Sequence, residues 1–135
     1  MKIENGFSAM TDGLVARIGL AIVFLYHGLV PKILFLSETE ILMIKAHGAQ
    51  LPIEKIALAA GIMEIFIGLA ILLFPRSAWP VRIALASLIV LLLDVAIFSP
   101  ALLIQAFNPV STNIAAIALC IIALNRRDHA ESDRK

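Results

Sequence analysis

A single carboxylate in the middle of a long apolar run constrains this chain more than any other feature. Residues 52–74 are long enough, at ~1.5 Å of rise per helical residue, to cross a bilayer, and Glu64 lies near their centre. Gly61, Glu64 and Gly68 share one helical face because they are spaced at i, i+3 and i+7. An ionised carboxylate facing lipid tails is costly, so this face must look into protein. The sequence therefore predicts a membrane helix whose small, polar face packs against other helices.

The composition places the whole chain in the membrane class. The 135 residues are 61% hydrophobic and only 16% charged, which is far from the range of soluble globular domains. A net charge of +1 without a basic face argues against a nucleic-acid partner. One cysteine, Cys120, excludes an intramolecular disulfide, a redox pair and a multi-cysteine metal site. Residues 1–13 lack a signal-peptide pattern, so we expect the first apolar segment to be a retained span.

Four apolar segments predict an all-α, integral membrane four-helix bundle. The chain is expected to form one membrane domain, residues 1–135, with spans at about 14–35, 52–74, 81–98 and 109–124 and a cytoplasmic polar tail, 125–135. Pro31 should kink or end the first helix. The short turn at residues 75–80 should make the second and third spans antiparallel neighbours.

The first loop carries its own helix signal. Ser37 and Glu40 form a capping-box pattern, and Gly48 follows as a stop signal. The pattern predicts a short interfacial helix between them, in the first external loop, that could cover the mouth of the bundle.

Basic residues set the expected orientation. With four spans, the N-terminus, the second loop and the tail lie on one side, and the first loop lies on the other. The first side holds Lys2, Arg76, Arg82, Arg126, Arg127, Arg134 and Lys135, and the other side holds Lys32, Lys45 and Lys55. The positive-inside rule therefore predicts that the N- and C-termini are cytoplasmic.

Polar residues in the spans can be ordered by depth. Counting ~1.5 Å per residue from the predicted cytoplasmic ends gives depths of ~5 Å for Arg17, ~15 Å for Glu64, ~18 Å for Asn113, ~20 Å for His27 and ~21 Å for Asp94. Buried charges in membranes pair with one another. The depths predict two contacts, Arg17 with Glu64 and His27 with Asp94.

These residues form the predicted ligand-binding pocket, whose members are Arg17, His27, Glu64, Asp94 and Asn113. His27 and Asp94 are the catalytic candidates, because a carboxylate can orient a histidine ring for proton transfer. The alternatives are a hydrogen-bonded core histidine and a purely structural Arg17–Glu64 pair.

Two residues are predicted at the mouth of the pocket, and no metal site is predicted. Lys32 is expected at the pocket mouth, either reaching to the interface or holding an anion, and Asn108 is expected there as a helix cap. No metal site is predicted, because the spans contain one histidine.

Several motifs together resemble a known family. They are Arg17, the stretch Tyr26-His-Gly-Leu-Val-Pro-Lys-Ile33, Gly61-Ile-Met-Glu64 with Gly68, Ser99-Pro-Ala-Leu-Leu103 and Phe107-Asn-Pro-Val110. From Arg17 to Leu124 the chain resembles the DoxX-like family of small bacterial membrane proteins. The resemblance implies a multi-pass, four-helix protein of the bacterial inner membrane. It also implies kinship with DoxX-type subunits, which associate with quinone-linked sulfur oxidation or with thiol and oxidative-stress systems.

The functional hypothesis follows from the pocket and the resemblance together. The chain is expected to be a membrane subunit of a quinone- or thiol-linked oxidoreductase system, with a pocket for a quinone or another small lipophilic ligand. It has no self-contained catalytic motif and no expected intrinsic cofactor. Its expected partners are the lipid bilayer and a membrane or soluble oxidoreductase, with a homo-oligomer left open. The alternatives are a small proton-coupled transporter using Glu64 and a non-catalytic scaffold or assembly protein.

Overall fold

Five α-helices build the protein in a computed structural model that describes residues 2–106 and 108–132, with side chains described over 12–106 and 108–125. The helices are α1 (Lys2–Leu29), α2 (Glu38–Ala46), α3 (Ile53–Leu73), α4 (Trp79–Phe98) and α5 (Pro109–Ser132). A π-helical turn, Val30–Leu34, follows α1, and a 3-10 helix, Pro100–Ile104, precedes α5. Within the described residues there is no β-strand, so the all-α prediction is confirmed.

Three of these helical segments are long and apolar enough to cross a membrane. They are Asp12–Leu34 with 23 residues, Ile53–Leu73 with 21 and Trp79–Phe98 with 20. Pro109–Asn125 is also apolar but shorter. The protein is therefore a membrane protein with three long candidate spans, and a fourth crossing by α5 stays a prediction.

Pro31 ends α1, as the sequence predicts. Proline has no N–H to donate to the carbonyl of His27, four residues earlier, so a regular α-helix cannot continue through it. The chain responds with a wider turn, in which the N–H of Phe35 donates to the carbonyl of Val30 at 2.9 Å. Such π-turns often lie at functional sites. This one carries Lys32 into the bundle.

The helix α1 is the centre of the packing. It contacts α3 and α5 extensively, and α4 packs mainly on α5. The helices α3 and α4 are neighbours, as their short turn predicts, but their shared contact is small. The short helix α2 packs against both of them.

Two helices approach each other closely at Gly28 on α1 and Gly61 on α3. A Cβ atom added to Gly61 would lie 2.5 Å from the carbonyl oxygen of Gly28, so the two backbones are in direct contact. Gly68 lies further along α3, against Leu25 and the carbonyl of Ala21. Gly61 and Gly68 are both buried, so the prediction that this face of the second span looks into protein is confirmed.

Small and larger apolar residues together fill the core between α1, α4 and α5. On α5 the buried positions include Ala116, Cys120 and Ala123. On α4 the buried positions are Pro80, Val81, Ala84, Leu88 and Val95. The buried face of α4 is therefore apolar, and Asp94 is not part of it.

The first-loop helix forms as its capping box predicts. The Ser37 hydroxyl accepts a hydrogen bond from the N–H of Glu40 at 3.2 Å. At the other end Gly48 has a φ of +63°, the left-handed conformation that stops a helix at little cost for glycine. An interfacial position for α2 stays a prediction.

Candidate functional site

A cavity of about 370 Å³ lies where α1, α4 and α5 meet beneath α2. Its apolar wall is formed mainly by Phe24, Leu88, Leu91, Val95 and Leu102. Its polar lining consists of His27, Lys32, Thr39, Glu40, Glu64, Gln105, Thr112 and Asn113. Because α2 contributes Thr39, Glu40 and Met43, this helix forms one wall of the cavity.

Three charged side chains form a cluster at the cavity. The Nζ atom of Lys32 lies 2.8 Å from Oε1 of Glu40 and 3.1 Å from Oε1 of Glu64. The three side chains come from the π-turn, α2 and α3, and each is largely buried. Gly61 makes room for this arrangement, since a Cβ there would lie 3.1 Å from Cβ of Lys32.

The cluster contains more negative than positive groups. Two carboxylates face one ammonium group, and Oε2 of Glu64 is buried with no hydrogen-bond donor among the described residues. A buried carboxylate oxygen without a donor is unfavourable. The site can therefore accept a further hydrogen bond at Glu64.

The predicted contact between Arg17 and Glu64 is wrong. Arg17 instead donates to backbone carbonyls at the end of α3 and in the turn that follows: to Ile71 and Phe74 at 3.4 Å each and to Ser77 at 2.6 Å. Ile71 and Phe74 lie at the C-terminal end of α3, so the buried guanidinium caps this end and binds the turn that follows at Ser77.

The reason lies in the direction of side chains on antiparallel helices. Side chains tilt toward the N-terminus of their own helix. Arg17 on α1 and Glu64 on α3 therefore point away from each other along the bundle. Glu64 instead meets Lys32, which lies beyond it on that side.

The predicted contact between His27 and Asp94 is also wrong. Oδ1 of Asp94 lies 2.8 Å from Nε2 of His47, which follows α2. The His47 ring also packs on Phe98, with ring centroids 4.3 Å apart. His27 makes no hydrogen bond within the described residues and lines the cavity. The helix α1 packs mainly on α3 and α5, so Asp94 on α4 does not reach His27. Its partner is His47, in the first loop directly after α2.

Both ring nitrogens of His47 face acceptors. Nδ1 lies 2.8 Å from the Met43 carbonyl, and Nε2 lies 2.8 Å from the Asp94 carboxylate. Only the protonated ring donates from both nitrogens. The hydrogen bond to Asp94, then that to Met43, raises the pKa of His47.

Alkaline pH should therefore loosen the attachment of α2. Because the folded pKa of His47 lies above its unfolded value of about 6.5, the stabilising contribution is complete below that pH and is lost as pH rises through the folded pKa. The melting temperature of the wild type should exceed that of His47→Gln at pH ~6, and this gap should shrink by pH ~9.

Asp94→Asn provides the matched control, since it removes the charge that holds the proton on His47. Like His47→Gln, Asp94→Asn should lack the pH-dependent part of the melting temperature that the wild type shows. A gap between wild type and His47→Gln that is constant with pH would contradict the ionic contact.

The other predicted site residues divide between the cavity and its surroundings. His27, Glu64 and Asn113 line the cavity together, whereas Arg17 and Asp94 are not among its lining residues. Lys32 lines the cavity too, and its side chain is only 9% exposed, so it does not reach out to the interface. Asn108 caps α5 by accepting a hydrogen bond from the N–H of Ser111 at 3.0 Å.

The site prediction from the sequence omits Glu40 and His47, the two charged or titratable partners in the contacts described above. Both belong to the first-loop segment, whose capping box predicts a helix but not the contacts of its charged side chains. Glu40 stands eight residues after Lys32, and His47 stands directly before the Gly48 stop signal. Their position beside a predicted helix over the bundle mouth was the available signal. Over the described residues, no group of His, Cys, Asp or Glu is arranged to hold a metal ion.

Comparison with known proteins supplies the family. The sequence profile of the DoxX-like family matches residues 21–121 of this chain. No curated protein and no solved structure gives a match. The matched region contains the π-turn, α2, α3, α4 and the cavity-lining part of α5. The chain belongs to the DoxX-like family.

Proposed function

We propose that this protein is a membrane subunit that binds a small lipophilic molecule with a polar head, a quinone being the first candidate. In this proposal it works within a quinone- or thiol-linked oxidoreductase system. The observation that carries the proposal is the cavity between α1, α4, α5 and α2, which joins an apolar wall to a cluster of polar and charged side chains. The DoxX-like membership and the kinship that it implies support the oxidoreductase setting.

The cavity fits such a molecule in size and chemistry. Small-molecule sites usually enclose about 300–1,000 Å³ and combine apolar walls with a few polar groups. Phe24, Leu88 and Leu91 offer contact to a ring or tail. Donors for carbonyl oxygens are available at Asn113 and at the third N–H of the Lys32 ammonium group, whose other two face Glu40 and Glu64. A quinone would supply the redox chemistry when bound, while the residues of this chain hold and orient it.

His27 is the residue to which we assign proton exchange. It lines the cavity and makes no hydrogen bond within the described part of the chain, so its ring is available to a ligand. We do not assign proton exchange to Asp94, because its carboxylate is paired with His47. Arg17 keeps the helices in place by capping α3.

Replacing His27 by Ala should weaken the binding of a short-tailed quinone analogue at least about fivefold, because one hydrogen-bonding group is lost at the ligand. The affinity can be measured by isothermal titration calorimetry on the purified protein in lipid nanodiscs. Tyr26→Phe is the matched control, since Tyr26 precedes His27, is 59% exposed and does not line the cavity. An unchanged affinity in a folded His27→Ala protein would remove His27 from the site.

Location and partners belong to the same proposal. We place the protein in the bacterial inner membrane as a four-span protein with both termini cytoplasmic, on the strength of the basic residues that favour that side. The apolar surface of the helices suits contact with lipid. A membrane or soluble oxidoreductase would be the protein partner, and a homo-oligomer remains compatible with the exposed apolar faces. A reporter fused to either end would read the orientation, and purification from native membranes would identify a partner.

A further inference from the structure

One carboxylate oxygen of Glu64 lacks a hydrogen-bond donor, and this indicates which chemical group a ligand in the cavity should carry. Oε1 is paired with Lys32 at 3.1 Å, whereas Oε2 has no hydrogen-bond donor among the described residues although it is buried. The same carboxylate lines the cavity. The ligand is thus in a position to supply a donor that the protein does not.

The neighbouring donors of the protein are engaged elsewhere or do not reach this oxygen. Lys32 bridges Glu40 and Oε1 of Glu64. The hydroxyl of Thr112 donates to the Asn108 carbonyl at 3.4 Å. Neither His27 nor Asn113, which share the cavity, donates to Oε2.

The orientation of the Glu64 carboxylate can adjust at low cost. The last torsion of a glutamate side chain is broad and has no steep staggered wells. Both oxygens move together about this bond, so a small adjustment lets Oε2 accept from a ligand while Oε1 stays beside the Lys32 ammonium group.

The head of the ligand should be neutral. The surplus negative charge of the cluster would attract a cation, but a cation at Oε2 would lie close to the Lys32 ammonium group. It would also have to lose its water among Leu88, Leu91 and Val95, at high cost. A hydroxyl group loses far less on entering and still donates a charge-assisted hydrogen bond.

We infer that the cavity selects a lipophilic ligand whose head is a neutral hydroxyl donor, such as a phenol or hydroquinone ring, and that Oε2 of Glu64 accepts its hydrogen bond. This inference rests on the proposed function, since it concerns the same cavity. It goes further by naming the chemical group that the site prefers and the residue that recognises it.

The test compares three probes that differ only in the head group. They are para-nonylphenol, its methyl ether para-nonylanisole, and para-nonylbenzylammonium, each titrated calorimetrically into the full-length protein in nanodiscs, with empty nanodiscs subtracted. The wild type should bind the phenol about tenfold more tightly than the ether, as expected for one hydrogen bond to a charged group. In Glu64→Gln this preference should fall to about threefold or less.

Glu54→Gln is the matched control variant, because Glu54 is an exposed glutamate on the same helix α3. It should keep the wild-type preference. If Glu64→Gln does not fold, the comparison of phenol and ether on the wild type still decides whether the cavity prefers a hydroxyl head.

The outcomes separate this inference from the proposed function. Equal affinities for phenol and ether would overturn the hydroxyl preference and leave the lipophilic site intact. Tightest binding of the ammonium probe would overturn the neutral head group. If a quinone analogue binds and the phenol does not, the donor inference fails alone. If neither the quinone analogue nor any probe binds, the proposed function fails and the inference with it.

Discussion

Replacing Gly61 by Ala should destabilise the protein by about 3 kcal/mol, at the upper end of what overpacking usually costs. The added methyl group would lie 2.5 Å from the carbonyl oxygen of Gly28, a distance that real Cβ contacts do not show. That oxygen is part of the helix backbone and cannot rotate away. The helices α1 and α3 must therefore separate, although they share one of the largest contacts in the bundle.

The same methyl group would disturb the charged cluster. It would lie 3.0 Å from Cγ1 of Ile33 and 3.1 Å from Cβ of Lys32, so the π-turn has to shift with α1. We expect Gly61→Ala to lower the melting temperature in detergent and to weaken quinone-analogue binding together. Circular dichroism during thermal unfolding measures the first effect, and calorimetry measures the second.

Gly19→Ala is the matched control on α1. A Cβ there would meet only the Cδ1 atom of Leu119 at 3.4 Å, which is an ordinary contact with the end of a flexible side chain. Alanine also favours helix over glycine by about 1 kcal/mol. Gly19→Ala should therefore be neutral or slightly stabilising. If Gly61→Ala melts like the wild type, the direct backbone contact with Gly28 is wrong.

Features fixed by local sequence were predictable. Pro31 ends α1 because proline lacks an N–H, whatever surrounds it. Ser37 caps α2 through a hydrogen bond to a residue three positions along the chain. The burial of Gly61 and Gly68 follows from the spacing of small residues around a charge in an apolar run.

The partners of the buried charges were not predictable in the same way. Depth along the bundle is only one coordinate. By depth alone, His27 lies level with Asp94, and the long side chain of Arg17 could reach Glu64. The actual pairing also depends on which helices touch and on the tilt of each side chain toward its own N-terminus. Both carboxylates have their partners at the end of the bundle that carries α2: Glu64 pairs with Lys32, and Asp94 pairs with His47.

The position of α2 is the other piece that the sequence left open. A capping box predicts where a helix starts and says nothing about what it packs against. Here α2 packs on α3 and α4 and delivers Glu40 to Lys32. The cavity is therefore bounded in part by a loop helix whose docking depends on tertiary contacts between ions.

Removing the one cation of that cluster should have the second large effect. Lys32→Met keeps a long apolar stem but leaves Glu40 and Glu64 without their ammonium partner, and both carboxylates are largely buried. Breaking a buried ion pair from one side costs about 3–5 kcal/mol, because the remaining charge has lost its compensation. We expect a loss of this order in the free energy of unfolding, measured by denaturant titration in mixed micelles.

Neutralising the carboxylates as well should restore much of that loss. In Lys32→Met combined with Glu40→Gln and Glu64→Gln no buried charge of the cluster remains, and replacing a whole buried ion cluster by neutral groups is often nearly neutral in energy. Lys55→Met, at an exposed lysine on α3, should change stability by less than about 0.5 kcal/mol. If the triple variant is as unstable as Lys32→Met alone, the cost comes from lost packing of the lysine stem. In that case the charges of the cluster do not hold α2 in its place at the cavity wall.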